Sequence, residues 1–216
     1  MAPMPLARPS LPFRLMLITS CEPGQLGQTR LALAHIPPGR VALQLRDKQA
    51  SPAKLEEAAR NLRQLTRSAQ CLLLINGDVE LAARVGADGV HLPEKGPAPE
   101  AARERLGANA IVGLSRHDAR GILSVGVAAD YVCLSPIHAV PGKTGPLGVA
   151  GFARLARLTP RPVLALGGVR PDDVDPLLAA GAAGIAVIRA VMAAESPAAK
   201  VGQFLTLLDP SERFPT

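Results

Sequence analysis

Short aliphatic runs recur along the chain at nearly even intervals: LMLIT at 15–19, VALQL at 41–45, CLLLI at 71–75 and GVHL at 89–92, then AIVGL at 110–114, YVCL at 131–134, PVLAL at 162–166 and GIAVI at 184–188. Each is four or five residues long and apolar at almost every position. That pattern suits strands covered on both faces, as in a parallel sheet. The segments between them carry apolar residues at helical spacing. In SPAKLEEAARNLRQLTRSA (51–69), Ser51 can cap the first turn and Pro52 fits the first helical position, while Leu55, Ala58, Ala59, Leu62 and Leu65 form one stripe. Further helices are predicted over 79–85, 97–106, 118–127, 149–158, 171–180 and 197–208.

Eight alternations in about 200 residues predict an α/β chain folded as a single (β/α)8 TIM barrel over 14–208, with a flexible Pro-rich tail at 1–13 and a C-terminal tail at 209–216. The competing architecture is an open doubly wound sheet. No Gly-x-Gly-x-x-Gly follows the first run, and the spacing stays even to the end. Three junctions, VGADGVHL, GVAADYVCL and AAGAAGIAV, lead from helix to strand in the same way, as a periodic architecture requires.

Composition narrows the function. Aromatic residues are 2% of the 216, with no Trp, so a base-stacking surface for nucleic acid is not expected. The net charge of +6 comes from arginines scattered over helices, which favours attraction of small anions over a nucleic-acid stripe. Cys21, Cys71 and Cys133 are widely spaced and read as reduced thiols. No apolar run approaches the roughly 18 residues that span a bilayer. A cytoplasmic protein with no membrane partner is the expectation; whether it forms a homo-oligomer stays open.

In a (β/α)8 barrel the chemistry lies at the C-terminal ends of the strands. There the sequence puts Gln44, Arg46 and Lys48 after the second run, Asn76-Gly77-Asp78 after the third, and Ser115-Arg116-His117 after the fifth. His138 and Lys143 follow the sixth, Gly167-Gly168 the seventh and Ile188-Arg189 the eighth. Alternation sends Gln44 and Arg46 to one side, with Lys48 beyond them. Gly167, Gly168, Ile188 and Arg189 are read as a phosphate site, because glycines admit close backbone approach and the next helix starts there. The bland alternative is a tight turn and a surface arginine. His117 is read as a proton carrier near neutral pH; an isolated His at a helix entry is its alternative. Lys48 and Lys143 are anion-binding candidates or ordinary solvated lysines, and His91 is read as a packed or hydrogen-bonded strand residue.

The ordered set QLRDK, LLIN, GADGVHL, GLSRH, ALGGV and GAAGIAVI resembles the thiamine-phosphate synthase and TenI superfamily over roughly 14–208. The resemblance implies a barrel of one of two branches. Synthases join a pyrimidine diphosphate to a thiazole phosphate with Mg²⁺, whereas TenI-like thiazole tautomerases aromatise a thiazole carboxylate phosphate without metal. In synthases one metal-binding Asp follows the Asn of the third-strand motif and another follows the fourth strand; Gly77 and Gly96 stand at those positions here. Asp78 is displaced by one residue and Glu94 by two. The Pro-Thr-x-Thr-Lys stretch of synthases reads Ala139-Val140-Pro141-Gly142-Lys143, and HLPE at 91–94 looks TenI-like. The expectation is therefore a metal-independent thiazole tautomerase acting on a small phosphorylated thiazole. In it His117 is catalytic, and Gln44, Arg46, Lys48, Asn76, Ser115 and Lys143 bind substrate. The alternatives are a synthase whose Mg²⁺ is held by Asp78 and Glu94, and a non-catalytic binder of thiamine-related phosphates.

Overall fold

The alternation closes on itself. In the computed structural model, which describes residues 10–142 and 145–209, eight parallel strands pair in sequence order and the first pairs with the last. They are β1 (Leu15–Thr19), β2 (Val41–Leu45), β3 (Leu72–Asn76), β4 (Gly89–Leu92), β5 (Ile111–Arg116), β6 (Tyr131–Leu134), β7 (Val163–Leu166) and β8 (Gly184–Val187). The helices are α1 (Pro23–Ala32), α2 (Pro52–Ser68), α3 (Val79–Val85), α4 (Pro99–Leu106), α5 (Ala119–Leu123), α6 (Gly148–Ala156), α7 (Val174–Ala179), α8 (Arg189–Met192) and α9 (Pro197–Leu208). This is the expected (β/α)8 barrel.

Local chemistry accounts for most of these boundaries. Helices α1, α2, α4 and α9 begin at Pro23, Pro52, Pro99 and Pro197, where a missing N–H costs nothing. The Ser51 side chain accepts a hydrogen bond from the Lys54 N–H, so the predicted cap of α2 is made. α1 has no counterpart in the sequence reading. Gly24 and Gly27 lower its helix propensity, and tertiary contact supplies what propensity lacks: Thr29 and Ala32 are buried, and the Thr29 hydroxyl lies 2.8 Å from that of Thr19 on β1.

The junction repeat has a physical basis. Asp88, at the entry to β4, accepts from the Leu73 N–H at 2.7 Å and pairs with Arg63 of α2 at 2.7 Å. Asp130, at the entry to β6, accepts from the Val112 N–H at 2.7 Å and pairs with Arg103 of α4 at 2.8 Å. Each carboxylate pins a helix to the start of the preceding strand. The third junction has Ala183 at the corresponding position, which has no carboxylate to offer but keeps the backbone bond from its N–H to Val163 O.

Alternation divides the core into two parts. Leu17, Leu43, Leu73, Val90, Val112 and Val132 face the helices, while Met16, Ala42, Leu74, Tyr131, Cys133, Leu164 and Ala186 fill the barrel. Phe13, the last residue of the segment read as a tail, is buried at the start of β1, edge-on to the Tyr131 ring at 5.6 Å. Cys21, Cys71 and Cys133 are all buried. No helix among the described residues is long and apolar enough to cross a membrane.

Candidate active site

The interior is apolar at one end and polar at the other. Toward the C-terminal ends of the strands the inward positions become Gln44 on β2, Asn76 on β3, His91 on β4 and Ser115 on β5. Register joins them: Asn76 pairs with His91, and His91 with Gly113, one inward step before Ser115. β3 runs one residue further than the sequence suggested, so Asn76 closes the strand and stands at the mouth.

Gln44 is buried, and its Nε2 has no hydrogen-bond partner among the described residues. A buried amide donor left unpaired is costly, and a ligand at the mouth is a ready partner for it. Arg46 stands half-buried just past the end of β2. After burial, its positive charge helps push the His91 pKa down. It has no carboxylate partner among the described residues, and a guanidinium can pair with an anion through forked hydrogen bonds. Lys48 is exposed in the following loop. Asp47 shapes that loop by accepting from the N–H groups of Cys21, Gln49 and Ala50, and these bonds, that of Gln49 foremost, hold its carboxyl below the usual range.

His117 Nδ1 lies 2.7 Å from the carbonyl oxygen of Ser135 and 3.2 Å from its hydroxyl. A carbonyl only accepts, so Nδ1 carries the hydrogen and Nε2 keeps its lone pair in the neutral ring. The half-buried imidazole is thus oriented to take up or return a proton at Nε2.

Gly167 and Gly168 turn with φ of +101° and +75°. A Cβ on Gly167 would lie 2.9 Å from Pro136 Cα, and one on Gly168 2.9 Å from His138 Cβ. Both the backbone angles and the crowding demand glycine, so the β7 turn is held tightly against the segment after β6. Ile188 follows β8 and Arg189 opens α8. The helix expected to start there is only the four-residue α8; the long final helix, α9, begins at Pro197. The first N–H groups of α8 are of the kind that has no intrahelical acceptor, and barrels commonly hold phosphate on such a short extra helix. His138 lies with its Nε2 3.0 Å from Asp173 Oδ1. Lys143 lies outside the described residues.

The carboxylates that a synthase would use for Mg²⁺ are not gathered here. Gly77, at φ +77°, has no side chain to offer. Asp78 Oδ1 accepts from the Leu81 N–H at 2.8 Å and caps α3. Glu94 is turned elsewhere: its Oε1 lies 2.8 Å from where a Cβ on Gly121 would stand, beside Arg116. Among the described residues no group of three or more His, Cys, Asp or Glu is arranged to hold a metal ion. The donor set does not fit a divalent ion held by these two carboxylates.

One partner in the site, Tyr131, escaped the sequence reading, while His91 is the packed, hydrogen-bonded strand residue expected. His91 is buried, with Nε2 2.8 Å from Ser115 Oγ and Nδ1 2.9 Å from the Tyr131 hydroxyl. Burial first, then the charges of Arg46 and Arg116, push its pKa down to about 3, so the ring is neutral. The signal was present as inward parity on β4, β5 and β6, but Tyr131 reads simply as the start of a strand.

Fold and site together define a (β/α)8 barrel whose mouth is lined by the polar residues Gln44, Asn76, His91 and Ser115. The chain belongs to the family described as thiamine monophosphate synthase, whose pattern matches residues 15–191. A relative from Geobacter sulfurreducens, whose name gives the synthase activity only provisionally, is 37% identical over 207 residues, covering 93% of this chain and 97% of its own. A thiamine-phosphate synthase from Gloeobacter violaceus is 36% identical over 199 residues, covering 91% of this chain. This chain spans only 58% of that relative's length. Among solved structures, a thiamine phosphate pyrophosphorylase from Pyrococcus furiosus superposes with a TM-score of 0.79 at 29% identity, over 91% of this chain and 96% of its own.

These relatives correct the expectation of a thiazole tautomerase. Curated relatives 33% to 38% identical to this chain are named thiamine-phosphate synthase, and nothing in the comparison favours the TenI-like isomerase branch. The absent carboxylates at Gly77 and Gly96 misled the reading. Losing a ligand changes how a diphosphate is neutralised; it does not supply the chemistry of a different reaction.

Proposed function

We propose that the chain is a thiamine-phosphate synthase, a transferase that joins a pyrimidine carried as its diphosphate ester to a thiazole phosphate. The observation that carries this reading is the run of relatives named for that activity across most of the chain. The reaction breaks the bond between the pyrimidine methylene carbon and the diphosphate oxygen, and forms a bond from that carbon to the thiazole nitrogen. Diphosphate leaves with the electron pair.

The residues at the mouth suit these demands. Arg46 and Lys48, with Lys143 known here from its sequence position, supply positive charge for the leaving diphosphate. Gly167, Gly168, Ile188 and Arg189 offer backbone N–H groups and a guanidinium to the thiazole phosphate. Gln44, Asn76 and Ser115 orient the pyrimidine through hydrogen bonds. His117, with Nδ1 held on Ser135 O, can donate from a protonated Nε2 to a diphosphate oxygen as charge develops there. Family synthases use Mg²⁺, but no step here runs through a metal because the carboxylates are not assembled for one.

The test is to incubate the purified protein with both precursors, with and without Mg²⁺, and to follow thiamine phosphate and released diphosphate. Equal amounts of the two products are expected. Absence of coupling at every metal concentration sinks the reading.

A further inference from the structure

Two buried groups, Tyr131 and His91, form a line behind Ser115 that the reaction as written does not use. Tyr131 stands fully buried inside the barrel, and Gly113 on the neighbouring strand makes room for it: a Cβ there would overlap the ring carbon Cζ. The phenol touches His91 Nδ1 at 2.9 Å and Met16 Sδ at 3.6 Å. His91 Nε2 in turn touches Ser115 Oγ at 2.8 Å. The line runs from the apolar interior to the half-buried serine at the mouth.

A neutral imidazole has one donor and one acceptor nitrogen, so the two ends of the line are not independent. If the phenol donates to Nδ1, the ring is protonated at Nε2 and donates to Ser115. If the phenol donates to the thioether, Nδ1 carries the hydrogen and Ser115 must donate inward to Nε2. The first arrangement pairs a phenol, the more acidic hydroxyl, with the imidazole nitrogen, the stronger acceptor. The second spends the phenol hydrogen on a thioether, a weak acceptor at the longer distance.

We propose that Tyr131 and His91 set the direction of the hydrogen bond that Ser115 makes. The imidazole is protonated at Nε2 and donates to Ser115 Oγ, which leaves the serine hydrogen free for an acceptor atom on the substrate. Ser115 then selects a ring nitrogen or a phosphoryl oxygen at its position and disfavours a donor there. His91 and Tyr131 are positioning residues that act through Ser115. The link to turnover rests on the synthase reading; the proton position does not.

Long-range ¹H–¹⁵N correlation spectra of histidine-labelled protein near neutral pH test this, with the His91 signals identified by their loss in His91→Gln. A protonated Nε2 and a bare Nδ1 are expected; the opposite tautomer overturns the proposal and needs no variant. Ser115→Ala should keep that tautomer, whereas Tyr131→Phe should populate both. Each single change should lower kcat/KM for coupling on the order of tenfold, and the double variant should lose little more. Full additivity, or an unaltered tautomer in Tyr131→Phe, overturns the relay. Should the wild-type protein fail to couple its substrates, the functional reading falls while the spectrum still decides the tautomer.

Discussion

Asp78 accepts a hydrogen bond from the Leu81 N–H at 2.8 Å, and this contact makes it the N-cap of α3. The same residue stands one position after Gly77, where synthases of the family carry a metal-binding carboxylate. Asn and Asp cap helices about equally well, whereas Ala does not. Asp78→Asn should therefore leave the melting temperature nearly unchanged, and Asp78→Ala should cost about 1 kcal/mol. Coupling by Asp78→Asn should stay within about twofold of wild type at saturating Mg²⁺. A collapse of turnover in that variant, at unchanged stability, would assign the metal to Asp78.

His117 is oriented by Ser135 rather than by a carboxylate, since its Nδ1 rests on the Ser135 carbonyl oxygen at 2.7 Å. His117→Ala should lower kcat by roughly a hundredfold, at the lower end of what proton transfer by a positioned side chain contributes. Its unfolding midpoint should barely move. Undiminished kcat in a steady-state assay refutes a role in the reaction.

The turn at Gly167 and Gly168 makes a sharper demand. Gly168→Ala must adopt φ near +75° with its Cβ 2.9 Å from His138 Cβ, and Gly167→Ala meets the backbone at Pro136. Each should destabilise the chain by about 1 kcal/mol or more and raise KM for the thiazole phosphate. Denaturant unfolding and steady-state kinetics measure the two effects separately. Unaltered KM in both variants removes the turn from the phosphate site.

Burial of neutral His91 predicts a pH dependence of stability. In the folded chain the ring resists protonation down to about 3, whereas in the unfolded chain it takes up a proton near 6.5. Below 6.5 the unfolded state thus binds more protons, so stability falls as the pH drops from 6.5 toward 3 and is unaffected by this group above 6.5. The slope from one such group reaches up to about 1.4 kcal/mol per pH unit. Urea unfolding at pH 7 and pH 5, on the order of values bracketing that onset, should give a smaller difference for His91→Gln than for wild type. Equal differences count against the buried neutral ring.

Much of the architecture was legible along the chain. All eight aliphatic runs are strands, and the polar residues after them lie at one end of the barrel. α1 was not legible, because Gly24 and Gly27 argue against a helix that packing against β1 and α9 then enforces. The branch within the family was misread from two glycines. A missing ligand is a local fact, and the activity named for the relatives follows a likeness spread over most of the chain.

The amino-acid pattern by itself determined the repeating unit, the closed barrel and the end at which chemistry gathers, since alternation, capping and apolar periodicity act over a few residues. Only the tertiary structure decided which polar groups meet. Ser115 and Tyr131 stand 24 and 40 residues from His91, and strand register brings both against one imidazole. Asp78 turns to cap α3 while Glu94 turns toward Arg116, although both read as strand-end carboxylates. Side-chain direction at a strand end depends on the loop and helix that follow and on the neighbouring strands, and no short window of sequence contains them.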